Sequence, residues 1–206
     1  MARIDLARRA EIGREKRART RAQIVEAGAM LLAERAPEAL TVDAVVEAAG
    51  VAKGTFYYHF QGIEELAAAV GGKLLKSFDD LLAPVRLGMP DPIARMSFAF
   101  TEFVEKAIAD PLWAQLVVRS AQAPTEFARS VRANLKADLA EARAQGRVTI
   151  QDIELAADIG FGILLQVMRG TLQGRAAPDL ARQALDAALR AIGALPPMSA
   201  TLATRL

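Results

Sequence analysis

Nowhere in this chain of 206 residues do apolar and polar residues alternate with the period of two that a half-buried strand requires. Apolar residues recur instead three and four apart, between proline and glycine punctuation, which is the spacing of helices that bury one face. That pattern predicts an all-α fold. Composition agrees, since 43 residues are alanine, the strongest helix former. With 52% hydrophobic residues the chain is too apolar for disorder and long enough for one domain or two small ones.

The punctuation places about nine helices. The first runs from Arg17 to about Arg35, with Ile24, Gly28, Leu31 and Leu32 on one face and Pro37 ending it. Thr41 caps a short helix whose apolar face is Val42, Val45, Val46 and Ala49, and Gly50 follows where a left-handed residue commonly ends a helix. A second short helix spans Lys53 to Phe60. Glu64 and Glu65 open a longer one toward Leu82, stopped by Pro84. The segment 84–92 has three prolines and a glycine and reads as a boundary or hinge. Asp91-Pro92 and Asp110-Pro111 each read as a cap followed by proline at the first helical position, giving helices over 92–109 and 111–122. Pro124-Thr125 starts a helix ending near Gly146, Asp152 caps one over 153–173, and Pro178 opens the last, to about Ile192. The tail from Gly193 is expected to fray.

Several classes of chemistry are excluded. There is no cysteine, hence no disulfide framework, thiol nucleophile or thiolate metal site. His59 is the single histidine, so a histidine-rich metal site is excluded too, and no serine or carboxylate stands at a spacing that recommends a triad. No catalytic residue, metal or cofactor is expected. The longest uncharged apolar run, Ile159 to Met168, is far short of the roughly 20 residues a bilayer needs. The N-terminus has no apolar secretory core, so a cytoplasmic protein with no membrane partner is expected.

Charge is unevenly placed. The whole positive excess sits in Arg3, Arg8, Arg9, Arg14, Lys16, Arg17, Arg19 and Arg21. Such an arm can bind a polyanion by counterion release, or simply be a solvated, partly disordered tail.

Residues 40–66 carry the most information. Two short helices around a glycine turn form a helix-turn-helix, whose second helix lies in the DNA major groove. Val51, Phe56 and Phe60 can pack back onto Val45, Val46 and the first helix, while Lys53, Thr55, Tyr57, Tyr58 and His59 project elsewhere. So short a helix buries one side only, which the two phenylalanines fill. Phenol and imidazole groups hydrogen-bond phosphates, and the rings can contact thymine methyls. Gly54 removes a side chain where backbone must approach another surface.

The string A-G-V-A-K-G-T-F-Y-Y-H-F at 49–60, with L-T-V before it and E-E-L after it, resembles the DNA-binding domain of the TetR family of bacterial transcriptional regulators. The likeness covers roughly Arg17 to Leu74. It implies a basic arm over 1–16, a helix-turn-helix DNA-binding domain over 17–63, and a ligand-binding and dimerisation domain over 64–206 whose first helix, 64–82, is the connector. By position it implies that Thr41 bonds a phosphate while capping, that Lys53, Gly54 and Thr55 open the recognition helix, and that Tyr57, Tyr58 and His59 line the groove. Arg17, Arg19 and Arg21 of the basic segment would meet adjacent phosphates. Two positions depart from the pattern. Ala52 stands where a capping serine is common, and Ile63 where a phosphate-binding lysine is common.

In the C-terminal part, Ala156, Ala157, Gly160 and Gly170 leave room for close helix approach, and Ile163, Leu164 and Val167 supply apolar area. Ala181, Ala184, Leu185, Ala188 and Ile192 form a second stripe. The resemblance implies that these last two helices pair with their copies in a homodimer, which would read a palindromic double-stranded DNA operator; the other reading is that they complete the core of one chain. Two recognition helices would meet half-sites about 34–36 Å apart or a multiple. Phe100, Phe103, Trp113, Leu116, Phe127 and Met168 either line a cavity for a small apolar effector or form ordinary core. Arg119 and Gln166 are polar groups in apolar stretches, hence candidates to orient that ligand. The expected function is a repressor released by ligand. A ligand-dependent activator, an all-helical enzyme and a membrane-surface module are the alternatives.

Overall fold

The structure, a computed structural model, describes residues 2–34, 37–121, 126–175 and 177–194. Among these it has nine α-helices and no strand, with one isolated antiparallel bridge between Val148 and Ala194. The helices are α1 (Ala2–Glu34), α2 (Val42–Ala49), α3 (Lys53–His59), α4 (Ile63–Leu87), α5 (Pro92–Ala109), α6 (Pro111–Ser120), α7 (Glu126–Ala144), α8 (Ile153–Leu172) and α9 (Leu180–Ala191). A 3-10 turn at Pro37–Ala39 joins α1 to α2. The chain divides into two compact units, Met1–Val70 and Gly71–Leu206, so α4 contributes to both.

The first unit is held by the faces the apolar spacing marks. Ile24, Leu32, Val45, Phe56, Phe60, Leu66 and Val70 are all essentially without solvent exposure. Gly28 lets α1 and α4 approach, since a Cβ there would stand 2.9 Å from Leu66 Cδ2. Helix α1 departs from expectation by starting at Ala2 rather than near Arg17. Residues 2–16 are mostly alanine, arginine, glutamate and other good helix formers, interrupted only by Gly13, so the basic segment propagates the helix instead of trailing from it.

Caps set the second unit. Asp91 accepts from the Ile93 N–H (2.9 Å), Asp110 from Trp113 (3.0 Å), and Asp152 from Glu154 and Leu155 (2.9 and 3.1 Å), which satisfies orphan donors at the starts of α5, α6 and α8. Helix α9 starts at Leu180, two residues after the expected Pro178; Asp179 precedes it, but its carboxylate bonds Arg182 and Gln183 rather than the backbone. The expected start of α7 at Pro124-Thr125 and the tail beyond Ala194 lie outside the described residues.

Pro84 does not stop α4, which runs on to Leu87. A proline this close to a helix end forfeits one backbone bond on an exposed face. The extra turn brings Arg86 back beside Asp79, and both are buried.

Two packed clusters make the core of this unit. One gathers Leu75, Phe103, Trp113, Val117, Leu164 and Met168, the other Met96, Leu139, Ala142, Ala156, Ala157 and Ile192. Gly71 carries the tightest approach, for a Cβ there would stand 1.8 Å from the Leu116 carbonyl oxygen. By length and composition α8 is the one described helix apolar enough to cross a membrane, with a mean hydropathy of 1.3. The uncharged-run criterion passes over it because Asp158 and Arg169 interrupt the run. In this structure α8 packs on α5, α6, α7 and α9.

Candidate nucleic-acid interface and ligand cavity

In the first unit, α2 and α3 are set by local chemistry. Thr41 Oγ1 accepts from the Ala44 N–H at 3.2 Å and caps α2. Gly50 closes it with φ 63° and ψ 35°, its N–H donating to Glu47 and that of Val51 to Val46. A left-handed residue with these two bonds turns the chain sharply, and glycine carries no steric penalty there. Ala52 gives α3 no side-chain cap, and only its carbonyl accepts, from Thr55 and Phe56.

The faces of α3 then separate. Phe56 and Phe60 are 0% and 1% exposed, with ring centroids 5.8 Å apart, while Tyr57 and Tyr58 are 53% and 68% exposed. An open groove gathers Gly13, Lys16, Arg17 and Thr20 of α1 with Gly54, Thr55, Tyr58 and His59 of α3. A Cβ at Gly54 would meet no atom of the chain within 4 Å, so the glycine answers no internal need for space.

Three expected contact residues have internal engagements. Lys53 Nζ lies 2.7 Å from Asp43, whose hydrogen bond and charge hold the ammonium proton more firmly than usual. The Arg21 guanidinium lies 4.8 Å over the Phe60 ring, a cation–π placement. Burial, aided by the Arg21 charge, pushes the His59 imidazole below its ordinary value. That shift favours the neutral imidazole, which has one donor and one acceptor nitrogen. Arg17 borders the groove, whereas Arg19 is exposed and outside it.

The second unit holds a partly open cavity of about 80 Å³. Its wall is almost wholly apolar, with Phe100, Phe103, Phe161, Leu135, Leu164 and Met96 prominent. Phe100 and Phe103 are the expected ligand residues that reach it. Trp113, Leu116 and Met168 are buried in the core instead, Trp113 stacking on Phe103 with centroids 6.1 Å apart. Arg119 and Gln166 do not border the cavity, and Gln166 is exposed. Phe127 belongs to α7, but its side chain is outside the described ones.

The small-residue stripes serve the same cavity. Ala156, Gly160, Leu164, Leu185, Ala188 and Ile192 line it, and a Cβ on Gly160 would face Leu135 at 3.5 Å. Ile163, Val167 and Ala181 are half-buried, and Ala184 is buried within the chain. Exposed on α8 instead are Glu154, Leu155, Asp158, Gly162 and Gln166. Sequence spacing finds the stripes but cannot tell which of two apolar surfaces they meet.

The polar groups of the cavity escape the sequence reading altogether. Asp79, Arg86 and Asp138 border it and are 3%, 7% and 8% exposed. Asp138 accepts from Arg95 Nε at 2.7 Å. Asp79 accepts from Asn134 at 2.7 Å and faces Arg86 across 3.9 Å. Burial pushes the Asp79 carboxyl above its ordinary value, against the opposing pull of Arg86 and Asn134. A signal existed, because Asp79 and Arg86 share the apolar phase of α4 with Leu75 and Leu82.

Comparison with known proteins bears on both sites. Residues 24–70 match the family described as bacterial regulatory proteins, tetR family, and residues 91–205 match the tetracyclin repressor-like C-terminal domain. No curated protein sequence matches the chain. Among solved structures, RolR with resorcinol shares 24% identity over 93% of this chain and 96% of its own, with a TM-score of 0.71. FadR of Bacillus subtilis with stearoyl-CoA shares 18%, covering 84% of this chain and 97% of its own at a TM-score of 0.61. FadR of Thermus thermophilus with lauroyl-CoA shares 20%, covering 86% and 96% at 0.66. These likenesses establish the common fold. The two family matches together span the helix-turn-helix and most of the second unit, and the chain belongs to the TetR family of transcriptional regulators.

Proposed function

We propose that the chain is a homodimeric repressor that holds a palindromic operator through α3 and releases it when a small, mostly apolar ligand enters the cavity of the second unit. The observation that carries the DNA half is the split on α3. Two adjacent tyrosines face solvent while the phenylalanines beside them are sealed. Exposed phenols next to a basic groove have hydroxyls for phosphates and rings for thymine methyls. Thr41, Lys53, Gly54, Thr55, His59 and Arg17 surround them as the remaining contacts, with Lys53 exchanging Asp43 for phosphate.

The cavity supports the ligand half. Its volume is several times the roughly 10–15 Å³ that one water needs, yet below the roughly 300–1,000 Å³ of pockets for drug-sized molecules. A compact ligand, of the scale that RolR binds, fits better than the acyl-CoA of the FadR proteins. Such a ligand acts only by binding the DNA-free form more tightly than the DNA-bound one. The exposed face of α8 that carries Leu155, Asp158, Gly162 and Gln166 is the proposed dimer surface, and Gly162→Arg should give monomers by light scattering.

The test of the DNA half is Tyr57→Ala combined with Tyr58→Ala, assayed on a duplex selected with the wild-type protein. Retardation should be lost while helicity by circular dichroism and the dimeric mass are unchanged. Specific binding that survives the double substitution refutes the placement of α3 against DNA. A promoter reporter with and without ligand separates repression from activation.

A further inference from the structure

Arg86 is an anomaly in the cavity wall. It is buried, yet its Nε has no hydrogen-bond partner, and its nearest carboxylate oxygen, Asp79 Oδ1, stands 3.9 Å from a terminal nitrogen. That separation is too long for a hydrogen bond and leaves a gap at the polar end of an otherwise apolar cavity. A buried guanidinium donor is costly to leave unbonded, so the Arg86 head in the cavity wall is a place for an added acceptor.

The surrounding charges limit what that group can be. Asp138 is matched by Arg95, and Asp79 is matched by Arg86. Arg95 also pairs with Glu141, so these five charges leave one carboxylate in excess, and an entering carboxylate or phosphate would find no uncompensated cation. A neutral hydroxyl suits the Asp79–Arg86 pair, since its oxygen accepts from the terminal Arg86 nitrogen that faces Asp79 while its proton is donated to Asp79 Oδ1; the Nε–H, on another edge of the guanidinium, is not part of this bridge. An oxygen making two bonds of about 2.8 Å spans 3.9 Å only at an angle of roughly 90°, so Asp79 and Arg86 part by about 0.6 Å to hold it at a tetrahedral angle. Asn134 holds the other oxygen of Asp79 at 2.7 Å and fixes the orientation of the carboxylate. Phe100, Phe103 and Phe161 offer ring faces and edges to the rest of the ligand.

Resting on the reading of this cavity as the effector site, we infer that its ligand is an uncharged, single-ring hydroxyl compound, and that Asp79 and Arg86 are the pair that selects the hydroxyl. Both residues stand on α4, the helix that begins in the DNA-reading unit, so the polar end of the ligand engages that helix directly.

The probes are phenol, toluene and benzoate, titrated into the full chain at neutral pH by calorimetry, with emission of the single tryptophan, Trp113, as a second readout. Trp113 stacks on Phe103 of the cavity wall and so reports occupancy. Phenol should bind about tenfold or more tightly than toluene, and benzoate at least about tenfold more weakly than phenol. In the double variant Asp79→Leu with Arg86→Met, the advantage of phenol over toluene should vanish while toluene keeps its affinity. Replacing both charges together avoids stranding either one. Equal binding of phenol and toluene to the wild-type chain overturns the hydroxyl pair but leaves the cavity as a ligand site. Preference for benzoate overturns the neutral class. Failure of all three probes to bind overturns both the inference and the reading on which it rests. The wild-type series decides these outcomes even if the variant fails to fold.

Discussion

Gly71→Ala is a one-methyl change whose effect is read from a backbone contact. An added Cβ would stand 1.8 Å from the Leu116 carbonyl oxygen, 2.4 Å from its carbon and 3.1 Å from the Val117 nitrogen. Bringing the closest pair to about 3.2 Å requires α4 and α6 to part by roughly 1.4 Å, since neither partner is a side chain that can rotate away. Overpacking of this kind costs up to about 3 kcal/mol, and backbone against backbone belongs at the upper end. Alanine returns roughly 1 kcal/mol in helix propensity, so the net loss is about 2 kcal/mol. For a unit of this size that corresponds to a fall in Tm of roughly 8 °C. Trp113 lies on the displaced helix and packs edge-on to Phe78 at 5.3 Å, so its emission during heating follows the event directly. Protein concentration must be held constant, because a chain that self-associates, as proposed above, melts in a concentration-dependent way. A Gly71→Ala protein that melts at or above the wild-type temperature refutes the close approach and the packing of α6 built on it.

Two further outcomes are expected. Gly54→Ala should leave stability equal or slightly higher, by up to about 1 kcal/mol, because nothing in the chain lies near its added methyl; its affinity for a selected duplex, followed by fluorescence anisotropy, should fall at least about tenfold if α3 enters the groove. For Asp110, burial pushes the carboxyl up, but the Trp113 N–H and the Lys106 ammonium together outweigh it, so the net shift is downward. A carboxyl held lower in the folded chain adds stability above the unfolded value of 3.8, and that stability is lost as pH falls through the folded value. Asp110→Asn, which keeps a cap but no charge, should therefore flatten the acid limb of the stability curve below about pH 4; an unchanged limb refutes the assignment.

What the sequence shows well is what local chemistry decides. Thr41, Gly50, Asp91, Asp110 and Asp152 each place a boundary within a residue or two, because a cap acts on its own turn. The sides of α3 are equally legible, since two phenylalanines exhaust the buried face of so short a helix. Pro84 misleads because a proline three residues from a helix end, on an exposed face, forfeits a single backbone bond, a much weaker stop than in a helix interior. Gly160, Leu185 and Ala188 are legible only in part. Periodicity reveals an apolar stripe, but whether it meets a second chain or a cavity depends on partners far away in sequence. Asp79 and Arg86 were legible as two opposite charges in one apolar register, a stronger signal than one polar residue within an apolar stretch, as at Arg119 and at Gln166.

The winding of the basic segment into α1 changes how it can hold a polyanion. A segment that coils only on contact gives up roughly 1–2 kcal/mol of backbone freedom per residue at that moment, whereas one already wound does not. In exchange it loses adaptability. Its cations are strung along a rod with a rise of about 1.5 Å per residue, so Arg14 and Arg21 sit two turns apart at a fixed distance of roughly 10 Å. The segment therefore works as a ruler more than as a tether, favouring phosphates that come at the right interval.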